Sequence, residues 1–464
     1  MRQRPLTACS VALSVPFLCR SLLEGAHLLG SLRLSTSPPR GWRSWNLYGN
    51  NVNQSLITGI MDGMVKKQTY GGKSESLCDL GYCDVGLDDH WQDCGSKDAA
   101  PGMHYHDKEG NPLINLKVFP DLGAMAKHAH DLKLTSGWYG NNCDCSDHCD
   151  KATNSSRGEG EICDMQMKGD VAALVKKYDF DAWKLDGCGG EYDLVAINKE
   201  IKAAGKPIMV ENCHWGGTIP DRSKPEEEGC PWNFYRSSGD VRASYASIRG
   251  NLATTVPLAA KNLSYPGCWA YPDMLQVGCE HGPGGARDPG LTPAETRTHF
   301  YAWVIVSSPL TLSHNVNDPT ISKAVWPIIT NVEALEVSKA YFGHSGTAFA
   351  SSDETVELTD AYIEACAADP SRTCDLHEQV HSAPVSQSFY KPLDWEGKKT
   401  AVAMLNAANT SSSMSFNFKD VPGLMGDKFT VRDIHAHKDL GSFSGKYTAT
   451  IEGHDVAFLM VTAA

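Results

Sequence analysis

The segment DFDAWKLDGCGG, residues 179–190, decides how the chain is read. Phe180 to Leu185 crowds apolar and β-prone residues into a run too short for a helix, and a glycine- and cysteine-rich turn stops it at once. That pattern predicts a short buried strand. Two charges interrupt it, Lys184 and Asp186. A buried charge without a partner is strongly unfavourable, so both ask for pairing or for a chemical task. An aspartate before glycine is also an ordinary turn residue. The segments around it separate the two readings.

Strand-like runs of the same kind recur on either side: GWRSWN (41–46), GYCDVGLDDHW, LKLTSGWYGNN, KPIMVENCHWG, FYRSSGDV, YPGCWAYPDML and AWVIVSSPLTLS. Between them lie segments with apolar residues at helical spacing, such as GDVAALVKKYD and EYDLVAINKEIKAAG. Thr292-Pro293-Ala294-Glu295 reads as a capping box with proline at the first helical position. Eight strands alternating with helices over about 300 residues predict an α/β fold, a (β/α)8 TIM barrel spanning 38–338. No GxGxxG turn or P-loop supports a nucleotide-binding sheet instead. In such a barrel the active site lies where the strands end. Trp45, Asp88, Asp89, Trp91, Tyr139, Lys184, Asp186, His214, Trp215, Arg236, Asp240, Trp269 and Asp273 all follow short apolar runs.

Beyond about residue 340 helical periodicity fades. The alternating runs KKTAVAMLNA, SMSFNF, KFTVRDI, KYTATIEG and DVAFLMVT are separated by turn residues, which predicts a C-terminal antiparallel β-sandwich domain over 339–464.

The net charge of -13 and the absence of a basic stripe argue against nucleic acid and leave neutral or cationic small substrates. Sixteen cysteines and the sequons at Asn53, Asn154, Asn262 and Asn409 point to an oxidising, secretory setting. Arg2 and Arg4 precede a mostly apolar stretch, so residues 1–25 are expected to be a signal peptide, and no membrane span is expected after it. Secretion, or delivery to a vacuole or lysosome, follows as the expected localisation. The cluster CDCSDHC, 143–149, offers zinc-type ligands, but zinc sites generally use two separated pairs. No metal and no cofactor are expected. Cys366 and Cys374 are close enough in sequence to form a local disulfide loop.

Carboxylates set among tryptophan and tyrosine suit a sugar pocket, where aromatic faces pack on the ring and charged groups bind its hydroxyls. Cleaving a glycosidic bond needs two carboxyl groups of opposite role. Asp186, alternating with Lys184, suits the ionised partner, and Asp240, four residues after Arg236, is the candidate acid.

The ordered set GYCDVGLDDHW, KLDGCGG, CHWG, Arg236-x-x-x-Asp240 and PDML resembles glycoside hydrolase family 27, the melibiase-type α-galactosidases and α-N-acetylgalactosaminidases. The resemblance covers nearly the whole chain. It implies a barrel plus β-domain, no metal, and a retaining double displacement, with Asp186 as nucleophile and Asp240 as acid/base. It further implies that Asp88 and Asp89 grip the 4- and 6-hydroxyls and that Trp45 and Tyr139 line the pocket. Lys184 would bind hydroxyls, Arg236 would reach the 2-hydroxyl, and Cys213, His214, Trp215 and Asp273 would complete the site. By the same resemblance Cys213 bridges to Cys230, and a cysteine of the 143–149 loop, such as Cys143, bridges to Cys188.

Three departures stand out. His214 occupies a position where the galactosidases usually carry glutamate, in a loop facing the 2-substituent. His90 stands for a cysteine whose usual partner is also missing, and Tyr271 stands where aspartate is common. The expected activity is removal of terminal α-galactosyl residues, with α-N-acetylgalactosamine or β-L-arabinopyranose as alternative sugars. A catalytically silent sugar-binding protein is the alternative from another class. Terminal α-galactosides are the expected partners, and a homodimer is the oligomeric arrangement to test.

Overall fold

The computed structural model describes residues 35–140, 145, 159–187, 193–363 and 376–464. The expected leader, Asn154, and the cysteines at 143, 188, 366 and 374 lie outside them.

Every one of the eight predicted barrel strands forms. They are β1 (Arg40–Arg43), β2 (Asp84–Gly86), β3 (Thr135–Gly140), β4 (Ala182–Asp186), β5 (Met209–Cys213), β6 (Phe234–Arg236), β7 (Trp269–Tyr271) and β8 (Leu310–Leu312). They pair in parallel in the order β8-β1-β2-β3-β4-β5-β6-β7. The Leu275 N–H donates to the Thr311 carbonyl at 2.8 Å, linking the segment after β7 to β8 on the remaining side. The fold is therefore a (β/α)8 barrel followed by antiparallel β-sheets.

The longer helices Gln54–Val65, Leu122–Asp131, Leu194–Ala204 and Pro293–Ile305 start where side chains satisfy their free N–H groups. Asp193 accepts from Val195 and Ala196 ahead of Leu194–Ala204, and Gly205 ends that helix at φ 85°. The capping box at Thr292 and Glu295 forms as predicted, opening the helix Pro293–Ile305. This helix is buried nearly all round because the barrel covers one side and the β-domain the other.

Glycine placement on β2 and β3 makes room for a cation inside the barrel. A Cβ on Gly86 would lie 2.7 Å from the Arg43 guanidinium, and one on Gly137 3.1 Å from it. Arg43, 4% exposed, thus crosses the barrel interior and pairs with Asp84.

In the β-domain, Thr347–Ser351, Ser386–Pro392, Lys399–Asn406, Val456–Ala463, Phe429–Asp433 and Lys438–Phe443 form a six-stranded sheet in that order. Two further pairs, Thr355–Ile363 with Leu376–Pro384 and Ser412–Asn417 with Lys446–Ile451, accompany it. Val402, Met404, Phe416, Phe418, Val431 and Leu459 fill the core between the sheets.

The cysteine pairing departs from expectation. Cys230 bridges to Cys268, Cys78 to Cys83 and Cys94 to Cys145, while Cys213 is a buried free thiol. The register explains the correction. Asn212 lies level with Tyr235, so Cys213 sits beside Arg236 at the C-terminal ends of the strands. Cys230 and Cys268 instead precede β6 and β7, neighbours at the opposite end of the barrel. A disulfide cannot span that length. Closing the 38-residue separation stabilises the fold by about 4 kcal/mol on a loop-entropy account. The double variant Cys230→Ser/Cys268→Ser should lower the urea-extrapolated stability by an amount of that order, and a non-reducing peptide map should join these two residues.

Candidate active site

Alternation along β4 points Lys184 and Asp186 into the barrel, where both are buried at 6% exposure or less. Lys184 Nζ lies 2.7 Å from Asp88 Oδ2 and 3.5 Å from Asp186 Oδ2. Burial works against the ammonium, but Asp88, Cys213, Asp186 and Glu211 around it prevail and hold its pKa well above the usual lysine value. The Tyr139 hydroxyl donates to Asp186 Oδ2 at 3.3 Å from the adjacent strand. Burial, then the acids nearby, push that phenol far up, so it remains a neutral donor.

Asp88 and Asp89 follow β2 and are both buried. The Asp88 N–H donates to Ser44 Oγ, the Asp89 N–H to Asp88 Oδ1 and the His90 N–H to Asp89 Oδ1. These bonds fix the turn that presents the two acids together. His90 takes φ 83° to complete it. Burial raises the Asp88 carboxyl more than Lys184 lowers it.

Across the mouth, Arg236 at the end of β6 organises a second group. Its Nη2 lies 2.9 Å from Asp240 Oδ1 and 3.0 Å from Asp273 Oδ2, and its Nη1 donates to Cys213 Sγ at 3.3 Å. Asp273 is buried, adopts φ 88°, and also accepts from the Val241 and Met274 N–H groups. It therefore holds both Arg236 and the loop carrying Asp240. Burial alone would raise the Asp240 carboxyl, but the Arg236 charge and hydrogen bond, helped by Lys184 and Trp215, set it below the usual carboxylate range. Asp240 is the one carboxyl of this group that opens to solvent, at 59% side-chain exposure.

Trp215 joins the two halves. Its Nε1 donates to Asp240 Oδ1 at 3.2 Å, and its ring lies where a Cβ on Gly187, the residue after Asp186, would meet it at 3.2 Å. His214 is buried, with Nδ1 3.0 Å from Thr218 Oγ1. Trp45 begins the short helix after β1 and packs partly buried against Phe234, Trp269, Tyr271 and Met274. Trp91 and Trp269 are core residues: Trp91 packs on Trp138 and Tyr105, and the Trp269 indole donates to the Ser35 carbonyl.

The predicted site residues thus come together at one end of the barrel. Sequence reading missed Glu211, 4% exposed and level with Lys184 on the neighbouring strand, and Arg43. The available signal was the one that singled out Lys184 and Asp186, a charge inside an apolar strand run, here in IMVENC. Among the described residues no group of three or more metal-type ligands is found.

Residues 37–339 match the family described as alpha galactosidase A, and residues 386–461 match the alpha galactosidase C-terminal beta sandwich domain. The chain belongs to the alpha galactosidase A family. An α-galactosidase of Cyamopsis tetragonoloba is 24% identical over 92% of this chain and 87% of its own length. α-Galactosidase 3 of Arabidopsis thaliana is 26% identical, covering 92% and 82%. The solved structure of the α-galactosidase from Saccharomyces cerevisiae with raffinose has the same fold, at a TM-score of 0.68 and 18% identity, covering 93% of this chain and 98% of that one. Family membership makes the protein a glycoside hydrolase of the melibiase type.

Proposed function

We propose that the protein is a retaining exo-glycosidase that hydrolyses terminal α-D-galactosyl residues of oligosaccharides, glycolipids or glycoproteins. The observation that carries this reading is the pairing of a buried carboxylate, Asp186, fixed by Lys184 and Tyr139, with a rim carboxylate, Asp240, fixed by Arg236 and Trp215.

In this mechanism Asp186 Oδ attacks the anomeric carbon and the bond to the leaving oxygen breaks as Asp240 delivers a proton to it. Asp240 then removes a proton from water, which attacks the same carbon and frees Asp186. The Arg236 contact favours the charged form of Asp240, which suits the second, general-base step. For the first step Asp240 has to gain a proton, and a sugar 2-hydroxyl engaging Arg236 would relax the contact that opposes this. Asp88 and Asp89 would accept from the 4- and 6-hydroxyls, with Trp45 and Tyr139 against the ring. His214, held by Thr218, would lie toward the 2-substituent, with Cys213 and Asp273 supporting from beneath.

We place the enzyme in the secretory pathway, as a secreted or vacuolar/lysosomal protein, in keeping with its disulfides. No helix among the described residues is long and apolar enough to cross a membrane.

Release of p-nitrophenol from the α-D-galactoside, beside the α-N-acetylgalactosaminide and the β-L-arabinopyranoside, tests the sugar. NMR of the first-formed product tests the stereochemistry. Preferred turnover of the galactoside with α-galactose released first is expected. Inversion, or a folded protein inert on the galactoside, sinks the reading.

A further inference from the structure

Beneath the pocket the barrel interior carries more acid than base. Arg43, Lys184 and Arg236 face Asp84, Asp88, Asp186, Glu211 and Asp273, all with little exposure. The ion pairs give Asp84 to Arg43, Asp88 and Asp186 to Lys184, and Asp273 with rim Asp240 to Arg236. Among the described residues none goes to Glu211. Yet Glu211 is the register partner of Lys184 on β5, and the two side chains share the inner face of the barrel.

Ionising every acid would leave an excess of buried negative charge around the nucleophile, an arrangement that burial strongly disfavours. At least one of the five acids is therefore expected to keep its proton against the three cations. Resting on the assignment of Asp186 as nucleophile, we infer that Glu211 is a positioning residue that stays protonated in the working enzyme and so leaves the Lys184 ammonium to Asp88 and Asp186. Once ionised, Glu211 draws on the same ammonium and loosens the grip of Asp88 on the sugar.

The surroundings agree. Burial is the largest influence on Glu211 and outweighs Lys184, Arg43 and Arg236, with Asp88 adding to it, so the carboxyl is pushed up to about 7. Of the other titratable groups facing this layer, Cys213 and Tyr271 are raised well above their usual values by burial, and Arg43, Lys184 and Arg236 are held charged. Burial also raises the Asp88 and Asp273 carboxyls, but each keeps a direct ion pair, to Lys184 and to Arg236, that Glu211 lacks.

The test compares wild type with Glu211→Gln, which keeps the shape of the neutral acid. For the wild type, kcat/KM on the p-nitrophenyl α-galactoside is expected to step down on the order of tenfold between about pH 6 and 8, mainly through KM; one pKa unit corresponds to about tenfold. Glu211→Gln should retain the lower-pH activity and lack the step. Superposable profiles would overturn the inference, as would a variant already impaired at pH 5.

Thermal unfolding supplies a reading independent of substrate. A raised carboxyl binds its proton in the folded state over a range where the unfolded chain has lost it, so stability falls as pH rises there. Relative to Glu211→Gln, wild type should lose Tm progressively from about pH 4.5 to 7 and then hold a constant difference. A difference that does not vary with pH refutes the protonated Glu211. If wild type were inert on the galactoside while the Tm difference varied as stated, the fault would lie with the substrate reading and not with Glu211.

Discussion

Asp186→Asn should lose on the order of 10⁴-fold or more in kcat/KM on the p-nitrophenyl α-galactoside while retaining its fold. The argument starts from geometry. Asp186 ends β4 inside the barrel, takes a hydrogen bond from Tyr139 and lies 3.5 Å from Lys184. Asparagine fills the same volume and keeps contacts to both strands, but its amide does not form the covalent glycosyl intermediate that splits one hard displacement into two easier ones. Losing the buried negative charge also removes one of the anions that sustain the Lys184 ammonium. A purely structural aspartate would show a lowered Tm with kcat nearly intact. Near-wild-type turnover by a stable variant would end the nucleophile assignment.

Asp240→Ala should behave differently, because its carboxyl serves each of the two steps in turn. Loss of a positioned acid or base costs about 10² to 10⁴-fold. With p-nitrophenolate as the leaving group, little protonation is needed and the first step should persist. The second step then stalls for want of a base. The expected signature is a burst of p-nitrophenol followed by slow turnover, with azide restoring the rate and yielding an α-galactosyl azide. With raffinose, whose leaving group is poor, the variant should be nearly inactive. Equal losses on both substrates with no response to azide would contradict the role. Because Asp240 is 59% exposed and held by Arg236 and Trp215, its removal should cost the fold little.

Much of this arrangement was legible before any coordinates. The barrel strands are legible because each is a short apolar run ended by polar or aromatic residues; all eight form within those runs, although the first half of AWVIVSSPLTLS closes the preceding helix at Ile305 and only Leu310–Leu312 is strand. The β-domain was read less completely. Lys438–Phe443 is an edge strand exposed along most of its length, so it carries no alternation to detect. Leu376–Pro384, rich in polar residues, forms a two-stranded pair outside the main sheet. The Cys213–Cys230 bridge that the family resemblance implies does not form, because the two residues lie at opposite ends of the barrel, a placement the sequence does not report. Glu211 carries the same local signal as Lys184, a charge inside an apolar run, but the cations that surround it come from β1, β4 and β6, and no pattern along the chain joins them.

The capping box that opens the helix Pro293–Ile305 carries a further implication. Glu295 Oε2 accepts from the Thr292 N–H, while Oε1 lies 2.7 Å from His454 Nδ1 of the β-domain. Within the same turn, Arg297 grips Asp455 through two bonds and Thr298 Oγ1 donates to the His454 carbonyl. The residue that starts the helix is thus the residue that ties it to the neighbouring sheet. Peeling the sandwich away would fray the helix from its first turn, so the two halves should melt in a single cooperative transition. A truncation at residue 340 would then be expected to yield a chain prone to aggregation in place of an independent catalyst.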